Sequence, residues 1–206
     1  MSALGHAGLV PALILASASP RRQELLRSIG VSFSVEPADV DESEHPGESA
    51  VAYVERVALA KAEAIAARRC DLTGLAILAA DTTVDVDGTI LAKPLDDDDG
   101  RRMLRLLSAR KHLVHTAVVC RHAGGVAATT VTPGVSFAPL GEADIEWYIA
   151  LGEHGDKAGA YGMQGAAGAF VAALDGSPSN VIGLPLAQTV AILRACGLPA
   201  ALPRAG

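Results

Sequence analysis

The segment Leu13-Ile14-Leu15-Ala16-Ser17-Ala18-Ser19-Pro20-Arg21-Arg22-Gln23-Glu24-Leu25-Leu26 constrains the fold more than any other part of the chain. It reads as a buried strand that passes through a hydroxyl-rich turn into a helix. Ser19 is a good N-cap because its oxygen can accept from an orphan backbone N–H. Pro20 suits the first helical position, where a missing N–H costs nothing. The positive end of that helix and the guanidinium groups of Arg21 and Arg22 then face one spot, and both kinds of group suit phosphate oxygens. The other reading of these residues is a surface helix with solvated arginines.

Strand and helix signals continue to alternate, which predicts an α/β fold. Leu25, Leu26 and Ile29 give the first helix an inward face, and Gly30 stops it. Val31, Phe33 and Val35 alternate as in a half-buried strand. A polar, acidic loop from Asp39 to Glu48 leads into a long helix with Val51, Val54, Ala58, Ala62 and Ile65 at helical spacing. Leu75–Ala80 is apolar on both faces, as in a central strand, and runs into Asp81-Thr82-Thr83. Asp87-Gly88 sits between Val84/Val86 and Thr89-Ile90-Leu91, the strongest hairpin signal in the chain.

Asp96–Asp99 precedes a helix around Met103–Leu107, and the capping reading is preferred there over metal binding. A second hairpin joins His112–Cys120 to Val126–Val131 through Gly124-Gly125. A short helix over Glu142–Leu151 ends at Gly152. A strand over Ala169–Leu174 and a loop over Asp175–Asn180 precede a last helix from near Pro185.

Of 206 residues, half are apolar, enough for a sizeable core. Aromatic residues are only 3% and the net charge is −6, which argue against base-stacking surfaces and against a nucleic-acid partner. A polyphosphate ligand would then need a local basic cluster and a divalent cation. Cys70, Cys120 and Cys196 are scattered and show no CxxC spacing, so reduced thiols in a cytoplasmic protein are expected rather than zinc or disulfides. The apolar stretch Leu9–Ala16 is too short to span a bilayer and has no basic residue ahead of it, so no membrane association is expected. The expected organisation is a frayed tail over residues 1–10, one domain over 11–200 and a C-terminal tail over 201–206.

Candidate chemistry centres on Asp81, a carboxylate following a buried strand, where open α/β sheets place ligands. It can hold a cation or orient and deprotonate a water; the alternative is a turn-capping Asp. Thr82 stands beside it. Lys93 is held extended by Pro94 and lies one hairpin away, able to return to the same rim. Lys61 projects from the long helix. Solvation is the usual fate of either lysine. Asp41 and Glu42 are candidate metal partners in a loop otherwise read as solvated. Gly155, Gly159, Gly162 and Gly165 allow close backbone approach to a ligand but match neither a dinucleotide fingerprint nor a Walker motif. Gln164 offers a donor and an acceptor suited to the edge of a base. His112 and His115 are three apart on one strand, so they face opposite sides, which disfavours shared ligation.

Five blocks of the sequence together resemble the Maf (septum-formation) family: Ser17-Ala18-Ser19-Pro20-Arg21-Arg22, Ala80-Asp81-Thr82-Thr83-Val84, Lys93-Pro94, Asp156–Gly165 and Gly176–Pro185. The resemblance runs in order from about Leu13 to Gly197. It implies a twisted mixed β-sheet flanked by helices, with two lobes around a deep cleft (Maf/ITPase-like), often in a homodimer. It also implies a nucleoside triphosphate pyrophosphatase that cleaves the α–β phosphoanhydride with Mg²⁺, Mn²⁺ or a similar divalent cation. The form Ala158-Gly159-Ala160-Tyr161-Gly162-Met163-Gln164-Gly165 resembles the branch acting on dTTP and UTP. By position, Asp81 matches the family's proton acceptor and Arg21, Thr82 and Gln164 its specificity positions. Ser19, Arg22, Lys61 and Lys93 match positions around the phosphates, and Glu42 falls in a loop that helps hold the metal with Asp81. Ala18, Ala117, Met163 and Pro178 depart from the family's usual residues, and none is a charged position. The alternative function is a non-enzymatic nucleotide-binding regulator of cell division.

Overall fold

Two long antiparallel strands, β3 (Leu75–Val86) and β5 (Lys111–His122), form the spine of the molecule, paired from Ala76↔His122 to Asp85↔Leu113. This computed structural model describes residues 12–198, so the tails expected over 1–10 and 201–206 lie outside the described residues. The sheet runs β2 (Ser34–Val35), β1 (Ala12–Leu15), β3, β5, β7 (Gly134–Phe137), β8 (Val171–Asp175), with β4 (Thr89–Leu91) on β3 and β6 (Gly125–Val131) on β5. Only β1 (Ala12–Leu15) joins its neighbours β2 and β3 in parallel; all other pairs are antiparallel, giving the mixed sheet expected.

The spine is long enough to serve two lobes. In the first, α2 (Ala50–Ala66) lays Val54, Ala58, Ala62 and Ile65 against Ile77, Ala79, Ala117 and Val119 on one face of the sheet. On the other face, Leu26 of α1 (Pro20–Ser28) and Ile192 and Leu193 of α6 (Leu186–Ala195) cover Ala76, Leu78 and Val118. The small side chains let helix and sheet approach closely, and removing their apolar area from water stabilises both layers. In the second lobe, Leu104 and Leu107 of α3 (Asp97–Leu107) and Ile145 and Tyr148 of α4 (Glu142–Ala150) meet the far ends of β3 and β5, with β4 (Thr89–Leu91) and β7 (Gly134–Phe137).

Local signals formed as expected. Ser19 caps α1 by accepting from the Arg22 amide, with Pro20 at the first turn. Asp87 and Gly88 take φ of +52° and +81° in the β3–β4 hairpin, the backbone its tight turn demands. Asp96 caps α3, accepting from the Asp99 amide. The hairpin between β5 and β6 (Gly125–Val131) is present.

Five expectations need correction. The strand over Val31–Val35 shrinks to β2, Ser34–Val35, because only Ile14 and Leu15 of β1 reach it. Val51 is exposed rather than core-facing, since it lies on the solvent side of α2. The strand over Ala169–Leu174 is β8, Val171–Asp175, because Ala166–Phe170 coil into a tight 3-10 turn that drives Phe170 into the second core. The loop over Asp175–Asn180 contains a short helix, α5 (Pro178–Ile182), capped by Ser177, with Pro178 in its first turn.

Asp81 also stands elsewhere than expected. Strand β3 does not end before it but continues five residues beyond, to Val86. What ends there is the neighbour: β1 pairs with β3 only as far as Leu15↔Leu78, and β4 begins at Val84↔Leu91. Among the described residues, Ala79–Thr83 therefore has no strand partner on that edge, and the gap opens the interlobe cleft.

Candidate active site

The cleft is a cavity of about 590 Å³ lined from both lobes by the β1–α1 turn, α2, mid-β3, Lys93, the glycine-rich loop and Gly183. Of the side chains singled out from the sequence, Ser19, Arg21, Arg22, Glu42, Lys61, Asp81, Thr82, Lys93 and Gln164 line it, and Asp41 does not.

At its inner end, α2 presents Lys61 toward the sheet. The Lys61 side chain is not solvated but 9% exposed, and its Nζ donates to Asp81 Oδ1 at 2.7 Å and meets Glu42 Oε1 at 2.9 Å. The acidic loop reaches this point because Tyr53 Oη donates to the Glu42 carbonyl at 2.9 Å, and Arg56 holds the Ser43 carbonyl and the Glu48 carboxylate. Burial pushes the Glu42 carboxyl upward, but the hydrogen bond and charge of Lys61, with Lys93 and Arg22 beyond, hold it below the usual carboxylate range. Asp41 instead turns back to accept from the Ser43 amide.

Arg22 is the most unusual group. It is buried, yet its three hydrogen bonds go to neutral oxygens: Nε to the Gly183 carbonyl (2.8 Å), Nη1 to Ser17 Oγ (3.3 Å) and Nη2 to Thr82 Oγ1 (3.0 Å). Burial pulls its pKa below the ordinary arginine value; Asp81 opposes this and Arg21 adds to it. A buried guanidinium held only by neutral acceptors keeps its attraction for an anion. Gly183 permits this contact: its φ is +126°, and a Cβ there would lie 3.6 Å from Arg22 Nε in a backbone conformation that side chains rarely adopt.

Thr82 belongs to a directed chain. Thr116 Oγ1 donates to the Asn180 carbonyl (3.1 Å), so at 2.9 Å it must accept the Thr82 proton, and one of the two Thr82 lone pairs takes Arg22. The Thr82 hydroxyl thus has its proton committed and only acceptor capacity left for a ligand.

At the outer end, Arg21 Nη1 meets Asp156 Oδ2 at 2.8 Å, and Lys157 Nζ meets Asp156 Oδ1 at 2.6 Å. Gly159 ties this loop down, donating its amide to the Ala92 carbonyl; a Cβ there would come within 2.9 Å of Val84. Gln164 is exposed at the rim. Lys93 is exposed, and among the described residues it has no hydrogen-bond or ion-pair partner.

The sequence reading missed Asp156 and Lys157 as individuals, along with Ser17, Tyr53 and Thr116. A charged pair at the head of the glycine-rich segment was the only signal available for the first two. His112 and His115 do face opposite sides: His112 Nε2 meets Tyr161 Oη and His115 Nδ1 meets Thr132 Oγ1. Among the described residues no three His, Cys, Asp or Glu side chains gather to hold a metal. Glu42 and Asp81 nonetheless converge on one Nζ, and two hard carboxylates completed by phosphate oxygens suit Mg²⁺ or Mn²⁺. No helix among the described residues is long and apolar enough to cross a membrane.

Two lobes on one mixed sheet, with arginines and lysines facing a cleft beside paired carboxylates, define an α/β protein built to take a polyanionic ligand between its lobes. Comparison with known proteins is specific: the family model for Maf-like protein matches residues 12–196. The chain belongs to that family. It is 52% identical over 192 residues to the dTTP/UTP pyrophosphatase of Anaeromyxobacter sp. (strain Fw109-5), covering 91% of this chain and 90% of that one. It is 48% identical over 186 residues to the dTTP/UTP pyrophosphatase of Hahella chejuensis (strain KCTC 2396), covering 90% and 92%.

Proposed function

We propose that this chain is a nucleoside triphosphate pyrophosphatase that hydrolyses the α–β phosphoanhydride of dTTP and UTP to the monophosphate and pyrophosphate. The observation that carries the reading is the buried Arg22 guanidinium, without a carboxylate partner, aimed into a cleft that also holds Asp81. The names of the curated relatives supply the substrate.

Phosphoanhydride hydrolysis needs charge neutralised on phosphate oxygens and a water oriented in line. Arg21, Arg22, Lys61 and Lys93 neutralise the triphosphate, with Ser19 and the start of α1 adding hydrogen-bond donors. Asp81 orients the water and accepts its proton. Its bond to Lys61 holds the carboxylate in one rotamer and keeps the proton-accepting oxygens aimed at the cleft. Glu42 and Asp81 would hold a divalent cation, which supplies further neutralisation of the phosphates when bound. Gln164 and Thr82 read the base. Because Thr82 can only accept, it favours a ligand N–H such as the one thymine and uracil carry at N3 and cytosine lacks. Modified pyrimidines keeping that N–H fit the same reading, as does a place among cytoplasmic nucleotides.

Purified protein incubated with dTTP, UTP, CTP, ATP and GTP, in Mg²⁺ and in Mn²⁺, should release pyrophosphate from dTTP and UTP and leave purines largely intact. Saturable dTTP binding without pyrophosphate would favour the regulator instead. ATP or GTP turned over as fast as UTP would remove the pyrimidine reading.

A further inference from the structure

We infer that Asp156 is a positioning residue for substrate recognition: by gripping Arg21 and Lys157 together, it fixes the Arg21 guanidinium across the mouth of the cleft. The inference rests on the reading of the cleft as a nucleoside triphosphate site and assigns a role to a residue that reading leaves idle.

Arg21 stands at the start of α1 and Asp156 in the glycine-rich loop, 135 residues away in sequence. Among the described residues, every side-chain hydrogen bond of Arg21 goes to Asp156: Nη1 to Oδ2 at 2.8 Å and Nη2 to the carbonyl oxygen at 3.4 Å. Side chain and main chain of one residue therefore define both the place and the plane of the guanidinium. The remaining carboxylate oxygen takes Lys157 Nζ at 2.6 Å, and that ammonium also donates to the Glu153 carbonyl. Without Asp156, Arg21 would be a flexible stem at the rim, and a ligand would have to order it on arrival.

The charge ratio makes the contact useful. One carboxylate serves two cations, so the group keeps a net positive charge, and the anchor does not cancel the attraction for a polyanion. Burial raises the Asp156 pKa, but Lys157 and Arg21 outweigh it and hold it at about 2, so the anchor stays ionised at neutral pH. The same loop carries Gln164, so the clasp also sets the distance between the two sides that face the ligand.

The test is a double-mutant cycle on the full chain with Asp156→Asn, Arg21→Ala and the pair, read by calorimetric binding of a non-hydrolysable α,β-imido dTTP and by steady-state kinetics. Asp156→Asn should weaken binding about tenfold while kcat at saturating dTTP stays within about twofold. The pair should bind no more weakly than Arg21→Ala alone, because the anchor has nothing left to hold. Effects that multiply, or an Asp156→Asn variant whose kcat falls with KM unchanged, would overturn the inference. Wild-type protein that binds the analogue yet releases no pyrophosphate from dTTP would sink the enzyme reading alone, and the cycle would still be readable.

Discussion

The two ends of the cleft hold charge clusters of opposite stoichiometry. Inside, one cation, Lys61, serves two carboxylates, Asp81 and Glu42; at the mouth, one carboxylate, Asp156, serves two cations, Arg21 and Lys157. The inner cluster carries net negative charge around a buried Lys61–Asp81 pair, with Glu42 open to solvent, so it invites a divalent cation. The outer cluster is net positive, with partly buried Arg21 and Lys157 sharing an exposed Asp156, so it invites phosphate. Burial decides how much each matters: ion pairs in water contribute little, whereas breaking a buried pair strands a charge. The inner cluster should therefore govern stability and turnover, and the outer one affinity.

The largest effect expected is at Asp81. Asp81→Asn should lower pyrophosphate release from dTTP by ~10²–10⁴ while circular dichroism stays native; wild-type turnover in this variant would erase the contrast. Next, Lys61→Met removes the ammonium that bridges Asp81 and Glu42. It should cost about 3 kcal/mol in denaturant titrations, and millimolar Mg²⁺ should restore more melting temperature to the variant than it adds to wild type. Equal responses to Mg²⁺ would separate the carboxylates from any metal.

Acid should loosen the second lobe beside the mouth. Burial lowers the His112 pKa from 6.5 to about 4, so the unfolded chain protonates first. The neutral histidine's contribution is complete above pH 6.5 and is lost as pH falls toward 4, in total roughly 3 kcal/mol. His112→Gln should flatten that part of the stability–pH curve. Thr116→Val removes the acceptor for Thr82 and frees its proton. It should narrow the preference of dTTP over dCTP by about tenfold, on the order of 1.4 kcal/mol, readable in paired kcat/KM values. Smallest of all, Asp156→Asn should change unfolding free energy by less than about 1 kcal/mol. A large loss there would make the mouth a structural bridge and end the distinction between the two ends.

Much of the fold was legible because its signals are local. The Ser19-Pro20 start of α1, the Asp87-Gly88 turn, the doubly apolar Leu75–Ala80 and the Asp96 cap each depend on neighbours a few residues apart. Legibility failed where an element's fate hangs on a partner: β2 is short because β1 is short, and Asp81 lies mid-strand because β3 outruns its parallel neighbour. Within the cleft, residue identities and the family resemblance nominated nine of the lining groups but missed Ser17, Tyr53, Asp156 and Lys157. Their states were not readable. A lysine on a helix says nothing of its burial, and Lys61 became an interior cation only when Asp81, twenty residues on, and the Glu42 loop closed over it. Arg22 was bound by neutral oxygens alone, and the Thr82 proton was committed to Thr116, through contacts reaching to Asn180 and Gly183.

The amino-acid order alone thus determined the elements, the hairpins and the list of chemical groups, since caps, turns and apolar periodicity act over one turn of chain. Tertiary structure decided which charges are paired, which are shielded and which way each proton points, because Coulomb energies and hydrogen-bond direction depend on separation and solvent, and folding alone sets both.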